Sequence, residues 1–207
     1  MMKLYAMPGT CALAPNIASV WANLPVELVN LERGEHQSDA YLKVNPKGQV
    51  PALLFDDGQV LTEALAILLY IASLSKVPEL IPHGPMEWAR QAEALSYMSS
   101  EVHSDFGPHF VPERFASSPD AKEDVQQHTY RKLEAHFRRL DTSFKEAGGS
   151  GYLGGRTVVD AYLFVLCRWI DSTPLDLSSF PSLAEFRSRL ESEKAVISAL
   201  KRQKMAV

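Results

Sequence analysis

The sequence predicts an α/β unit followed by an all-helical one. Three observations lead there. Up to about residue 75, strand-like runs and tight turns alternate with helical patterns. Residues 77 to 85, ValProGluLeuIleProHisGlyPro, then carry three prolines and a glycine, the strongest break in the chain. Beyond that break every apolar periodicity is helical. The division is therefore 1–78 for the first unit and 86–207 for the second, with 79–85 as the linker.

Met2–Ala6 alternates as a strand does, and MetProGlyThr (7 to 10) is a turn. Leu13, Ile17, Val20, Trp21 and Leu24 then recur at helical spacing. Pro15 falls in the first turn, where its missing N–H is not needed. Cys11 is thereby placed at a helix N-terminus. Pro25 ends that helix, and Val26–Leu31 reads as a second strand. Residues 33–43 are polar and irregular or weakly helical. Leu53–Phe55 and Val60-Leu61 form the arms of a hairpin. Its Asp57-Gly58 dipeptide suits a two-residue type I′ turn, in which both central residues need positive φ. Thr62-Glu63 leads into AlaLeuAlaIleLeuLeuTyrIleAla, apolar enough for a buried helix. The order so far is β-α-β, a loose segment, and β-β-α.

In the second unit Trp88, Ala92, Leu95, Met98, Val102 and Phe106 mark one face of a long helix. Val125, Leu133, Phe137, Leu140 and Phe144 mark another, over Asp120–Ala147, stopped by GlyGlySerGly. Thr157 and Asp160 form a capping box, with Asp in place of the usual Glu. The box opens AlaTyrLeuPheValLeuCysArgTrpIle, apolar nearly all round and so buried. Pro181–Leu190 and Lys194–Gln203 read as two surface helices.

Net charge is −4 with both signs interspersed, which favours neither nucleic acid nor an anionic membrane as partner. The longest apolar stretch, Ala64–Ala72, is too short for a membrane span. MetMetLysLeuTyr lacks a signal-peptide core. The cysteines number 2, too few for a disulfide framework, so a reduced cytoplasmic protein is expected. No metal-ligand spacing, phosphate-cradling loop or GxSxG occurs.

Cys11 is the first chemical candidate. A lone cysteine is most often a small buried hydrophobe. At a helix start, however, the dipole favours a thiolate and lowers the thiol pKa. Ala14 stands where a redox pair would put its second cysteine. Cys11 is therefore restricted to a mixed disulfide with an outside thiol, or to a hydrogen bond with it. Val50-Pro51 is the second candidate. It is either a strand-edge bend or a cis proline that turns the Val50 N–H and C=O outward to an added peptide strand. Glu63 either complements the helix dipole or binds a ligand ammonium, while nearby N–H groups hold its carboxylate. His103 reads as either a solvent-exposed or a satisfied helix histidine, and Cys167 reads as core.

Together these pieces closely resemble the glutathione S-transferases, in particular the bacterial beta class. The resemblance rests on MetLysLeuTyr-x-x-ProGly-x-Cys (2 to 11), AsnProLysGlyGlnValProAlaLeu (45 to 53), AspAspGly-x-x-LeuThrGlu (56 to 63), SerGlu-x-His (100 to 103) and AspAlaTyrLeuPhe-x-x-x-ArgTrp (160 to 169). It covers nearly the whole chain. It implies a thioredoxin-like N-terminal domain, an all-helical C-terminal domain and a homodimer. It also implies a cytoplasmic detoxification enzyme that uses glutathione as co-substrate and no metal.

By the same resemblance Cys11 contacts the glutathione sulfur and can form a mixed disulfide with it. Val50 pairs with the cysteinyl backbone beside a cis Pro51. Glu63 and Ala64 bind the γ-glutamyl end. Ser100, Glu101 and His103 line the site, His103 close to the sulfur, and Ser96 falls at a polar contact position. Three departures stand out. Ala64 replaces the serine of many members, Ser104 replaces a lysine of close relatives, and the Arg33–Gln37 segment is short. Arg33 or His36 is then left to meet the glycyl carboxylate.

The expected activity is conjugation of the glutathione thiolate to small hydrophobic electrophiles. Ala6, Met7, Phe106, His109, Phe110 and Trp169 are the expected electrophile pocket. Glutathione-dependent thiol-disulfide reduction or peroxidase chemistry, with Cys11 acting covalently, is the alternative. A non-catalytic glutathione-binding protein of the same fold is a third reading.

Overall fold

The structure is a computed structural model and describes residues 1–206. Its sheet has 4 strands in the order β2-β1-β3-β4. The strands are β1 (Met2–Ala6), β2 (Val26–Asn30), β3 (Ala52–Leu54) and β4 (Val60–Thr62). β1 and β2 run parallel, as their connection through a helix requires, and the other pairs are antiparallel. The helix between them is α1 (Leu13–Trp21); α2 (Asp39–Leu42) and α3 (Ala64–Leu74) follow. Leu4, Leu13, Ile17, Leu53, Ile67, Leu68 and Ile71 are buried in the core that α1 and α3 share with the sheet. A smaller cluster of Leu31, Tyr41 and Ala52 brings α2 into contact with the strands. This is a thioredoxin-like unit.

Two local details differ from the sequence reading. α1 stops at Trp21, not at Pro25, because Asn23 adopts φ 52°. Asparagine tolerates that left-handed conformation better than most residues. The hairpin is not a type I′ turn: Gly58 has φ 85°, but Asp57 does not have positive φ. Gly58 N–H donates to Phe55 O at 3.0 Å and Phe55 N–H donates to Gln59 O at 2.9 Å. That is a three-residue loop, a turn followed by a left-handed glycine, which needs only one positive φ.

The second unit is α4 (Pro85–Tyr97), a π-type segment (Met98–Val102), the short turns α5 (His103–Asp105) and α6 (Gly107–Phe110), then α7 (Pro119–Glu146), α8 (Val158–Trp169), α9 (Pro181–Glu191) and α10 (Lys194–Arg202). The single long helix expected over Trp88–Phe106 is thus interrupted. His103 N–H reaches back five residues to Met98 O, and one extra residue in that turn rotates everything after it. α7 closes as expected, with Gly148 at φ 92° and Gly149 at φ 74°.

α8 is buried along most of its length and is the axis of the molecule. Its capping box forms. Thr157 Oγ1 accepts the Val159 N–H at 3.2 Å, and Asp160 Oδ2 accepts the Thr157 N–H at 2.7 Å. Asp160 Oδ1 also accepts the Tyr152 N–H at 2.8 Å. Burial pushes the Asp160 carboxyl up to about 6, against the pull of these donors.

α10 is not a simple surface helix. Val196, Ala199 and Leu200 are buried, and a polar network ties it to the first unit. Asn16 Nδ2 donates to Ala199 O at 2.8 Å and to Gln203 Oε1 at 3.3 Å, while Gln203 Nε2 donates to Met7 O at 2.8 Å. Arg202 donates to Val26 O at 2.7 Å, and Asn30 Nδ2 donates to Arg202 O at 2.7 Å. One continuous apolar core therefore runs from the sheet through α1 into the bundle. Among the described residues no helix is long and apolar enough to cross a membrane.

Candidate active site

Cys11 sits in the turn between β1 and α1. Thr10 shapes that turn: its Oγ1 donates to Met7 O at 2.8 Å and accepts the Ala12 N–H at 3.4 Å. The thiol is 9% exposed, and its S–H donates to Val50 O at 3.9 Å. This contact joins the end of β1 to the loop before β3. The Val50–Pro51 peptide bond is cis. Tyr41 Oη and Asn45 Nδ2 both donate to Gln49 O, at 2.6 and 2.7 Å, and so fix the backbone just before Val50. The Val50 N–H itself bonds to no described residue.

The lowered thiol pKa expected for Cys11 is not what this geometry gives. Burial pushes the thiol up to about 12. The first residue of α1 is Leu13, two positions beyond Cys11, so the helix dipole acts at a distance. The carbonyl partner stabilises S–H rather than a thiolate. Desolvation therefore wins.

Glu63 precedes α3 with φ 68° and ψ 122°. For a residue with a Cβ, that backbone costs about 1–3 kcal/mol. Ile67 N–H donates to the Glu63 carbonyl at 3.0 Å, closing the first helical turn. Lys47 Nζ lies 2.7 Å from Glu63 Oε1 and 3.1 Å from Thr62 Oγ1. Ala64 opens α3, whose first N–H groups have no helical acceptor, as at any helix start.

On the helical side, His103 follows the π-type segment. Its Nδ1 lies 2.6 Å from the buried Tyr162 Oη, and burial holds its pKa below the usual 6.5. Its ring meets Trp169 edge to face at 4.7 Å. Trp169 also packs against Phe106 and Phe110 at 5.5 and 5.3 Å, and its Nε1–H donates to Gly9 O at 2.9 Å. The aromatic group is thereby fastened to the loop that carries Cys11. Phe110 is 46% exposed and forms its outer rim. His109 is held between Tyr130 Oη at 3.0 Å and Ser172 Oγ at 3.1 Å.

The candidates thus fall into two groups. Cys11, Val50, Pro51, Glu63 and Ala64 come from neighbouring ends of the sheet and of α1 and α3, with His103 and Trp169 on the bundle side. Ser96, Ser100 and Glu101 are exposed and have no hydrogen bond to that group. Ser100 Oγ donates back to Ser96 O at 2.8 Å. Glu101 borders a cleft of about 350 Å³ with Tyr97, Lys132, His136 and Arg139.

Sequence reasoning missed four participants. Tyr162, inside an apolar helix, reads as core. Lys47 reads as a loop charge. Gln203 is one polar residue at a helix end. His136 is the fourth: its Nδ1 is 2.7 Å from Tyr97 Oη and its Nε2 is 2.9 Å from Asp105 Oδ2. It spans the π-type segment from both sides. Only the SerGlu-x-His spacing hinted at that segment, and nothing hinted at its partner.

The fold pairs a thioredoxin-like sheet with a helical bundle, with a thiol and a cis-proline at their junction. The description "Glutathione S-transferase, N-terminal domain" matches residues 1–73. Glutathione S-transferase GstA of Escherichia coli O157:H7 is 33% identical over 207 residues, covering 96% of this chain and 97% of that protein. The solved glutathione S-transferase of Xylella fastidiosa superposes with TM-score 0.92 at 31% identity, covering 100% of both chains. A bacterial beta class glutathione S-transferase of Sphingomonas chungbukensis superposes with TM-score 0.81 at 33% identity, covering 99% of this chain and 100% of that one. This chain belongs to the glutathione S-transferase family, as a transferase enzyme resembling the bacterial beta class.

Proposed function

We propose that the protein joins the thiolate of glutathione to small hydrophobic electrophiles. The observation that carries this reading is the unpaired Val50 N–H beside the Cys11 thiol, on a loop that Trp169 ties to the aromatic group of the bundle. Glutathione lies extended, its cysteinyl backbone bonding Val50 as an added strand would. Its γ-glutamyl carboxylate meets the open N–H groups at Ala64, and its ammonium meets Glu63, displacing Lys47. Its thiol proton passes to solvent. The sulfur lone pair then forms a bond to an electrophilic carbon, and the leaving group departs with the bonding electrons. Phe110 and Trp169, backed by the fully buried Phe106, offer the electrophile an apolar surface.

In this reading His103 is the catalytic position for conjugation, and Cys11, the other position read as catalytic, is a neighbour of the glutathione sulfur that acts chemically only in mixed-disulfide formation. Val50, Pro51, Glu63 and Ala64 bind glutathione, and Ser96, Ser100 and Glu101 are polar positions on the helical wall. The protein works in the cytoplasm as a homodimer, built from domains 1–78 and 86–207. Light scattering in solution tests the dimer. Thiolate absorbance of the glutathione complex, followed against pH, tests the chemistry. The bound thiol should titrate about two units below free glutathione, worth about 3 kcal/mol. An unshifted value would overturn the proposal. Covalent reductase chemistry at Cys11 is the lesser reading, because a buried thiol raised to about 12 is a poor nucleophile at neutral pH.

A further inference from the structure

We propose that Tyr162 is a positioning residue: its hydroxyl donates to Nδ1 of His103, fixes the imidazole as the Nε2–H tautomer, and so aims a hydrogen-bond donor at the glutathione sulfur. The inference rests on the reading that His103 faces that sulfur.

Tyr162 is 2% exposed, and its hydroxyl has one hydrogen-bond partner among the described residues, His103 Nδ1 at 2.6 Å. A buried hydroxyl that keeps its proton must place it on an acceptor or lose the full value of that donor. The phenol does keep its proton, since burial drives its pKa well above the ordinary 10. Among the described residues the one acceptor that the hydroxyl meets is the Nδ1 lone pair. Nδ1 therefore carries no hydrogen, and in the neutral ring the proton sits on Nε2. The ring is neutral at pH 7, because burial also lowers the His103 pKa. Nε2 bonds to no described residue, which leaves its N–H for a ligand.

The position of the pair supports the role. His103 packs on Trp169, whose indole is tied to Gly9, two residues from Cys11. A neutral N–H donor there favours a thiolate without itself taking the proton.

The test is the pH dependence of kcat/KM with a model aryl halide in Tyr162→Phe. Loss of the fixed tautomer should raise the apparent pKa of the bound thiol by about one unit, so kcat/KM well below that pKa falls about tenfold. The glutathione Kd from calorimetry should change less than about twofold. In a His103→Gln background, whose amide N–H donates without help, Tyr162→Phe should have no further effect. A folded Tyr162→Phe with an unmoved profile would overturn the proposal. Should that variant fail to fold, 15N chemical shifts of the wild-type imidazole read the tautomer directly, and a proton on Nδ1 refutes it. Absence of glutathione uptake in calorimetry would instead defeat the functional reading and leave the tautomer standing.

Discussion

At the scale of single residues the structure separates stability from chemistry. Cys11 is the sharpest case. Its thiol has an ordinary value of 9.0 and a folded value near 12. The fold thus favours the protonated form, and that contribution is full below pH 9 and is lost as pH rises through 12. Unfolding free energy should therefore fall across that window. Cys11→Ala should show a flatter alkaline decline in urea titrations, and an unchanged slope would mean that the thiol is not desolvated. The same variant should keep most conjugation activity while losing any mixed disulfide with glutathione, as mass spectrometry would report. Near-complete loss of conjugation would assign the sulfur a direct chemical role.

Glu63 carries the opposite trade. Glu63→Gly relieves the φ 68° strain but gives the unfolded chain more freedom. Stability should stay within about 1 kcal/mol of the parent, while glutathione affinity drops at least tenfold, or about 1.4 kcal/mol. Equal affinity in calorimetry would remove Glu63 from the binding site.

At the scale of elements, two polar devices hold helices in place. Asp160 serves three donors at once: the backbone N–H of Tyr152, the backbone N–H of Thr157, and the Thr157 hydroxyl. Asp160→Ala strands two backbone donors at a buried helix start, so it should cost about 2–4 kcal/mol. Denaturant melts measure this, and a loss under about 1 kcal/mol would show that water replaces the carboxylate there. His136 is the second device. It bonds Tyr97 before the π-type segment and Asp105 after it. That segment sets the direction of His103, so His136→Ala should lower kcat more than it raises KM for glutathione. His136→Gln, which can still reach one partner, should recover part of the loss. If His136→Ala changes only the melting temperature, the bridge is structural alone.

At the scale of the whole molecule, α8 and α10 decide how the halves meet. The last helix reaches back to Met7, just before the Cys11 turn, through Gln203. Gln203→Leu removes one donor from the Met7 carbonyl, which keeps Thr10, and the longer bond of the Asn16 amide, which keeps Ala199 O, so the loss of two buried hydrogen bonds should cost about 1–2 kcal/mol. Because Met7 leads into that turn, activity should fall further than stability predicts. A variant that loses stability but keeps full kcat would show that this tie does not position the site.

Apolar spacing and turn residues by themselves determined the broad plan: strands confined to the first 75 residues, a proline-rich break, helices beyond it, and the Thr157–Asp160 cap. Those features are local, so neighbours in sequence are enough to reveal them. The short motifs around Cys11, Val50-Pro51 and Glu63 were legible in the same way, each being a brief run of backbone-shaping residues. Only the tertiary structure decided the rest. The sign of the Cys11 shift depends on how much of the chain closes over the sulfur. The partners of His103, His136 and Gln203 are 59, 39 and 196 positions away at Tyr162, Tyr97 and Met7. No periodicity carries such pairings, because burial and hydrogen bonding between distant segments arise only once the chain has packed.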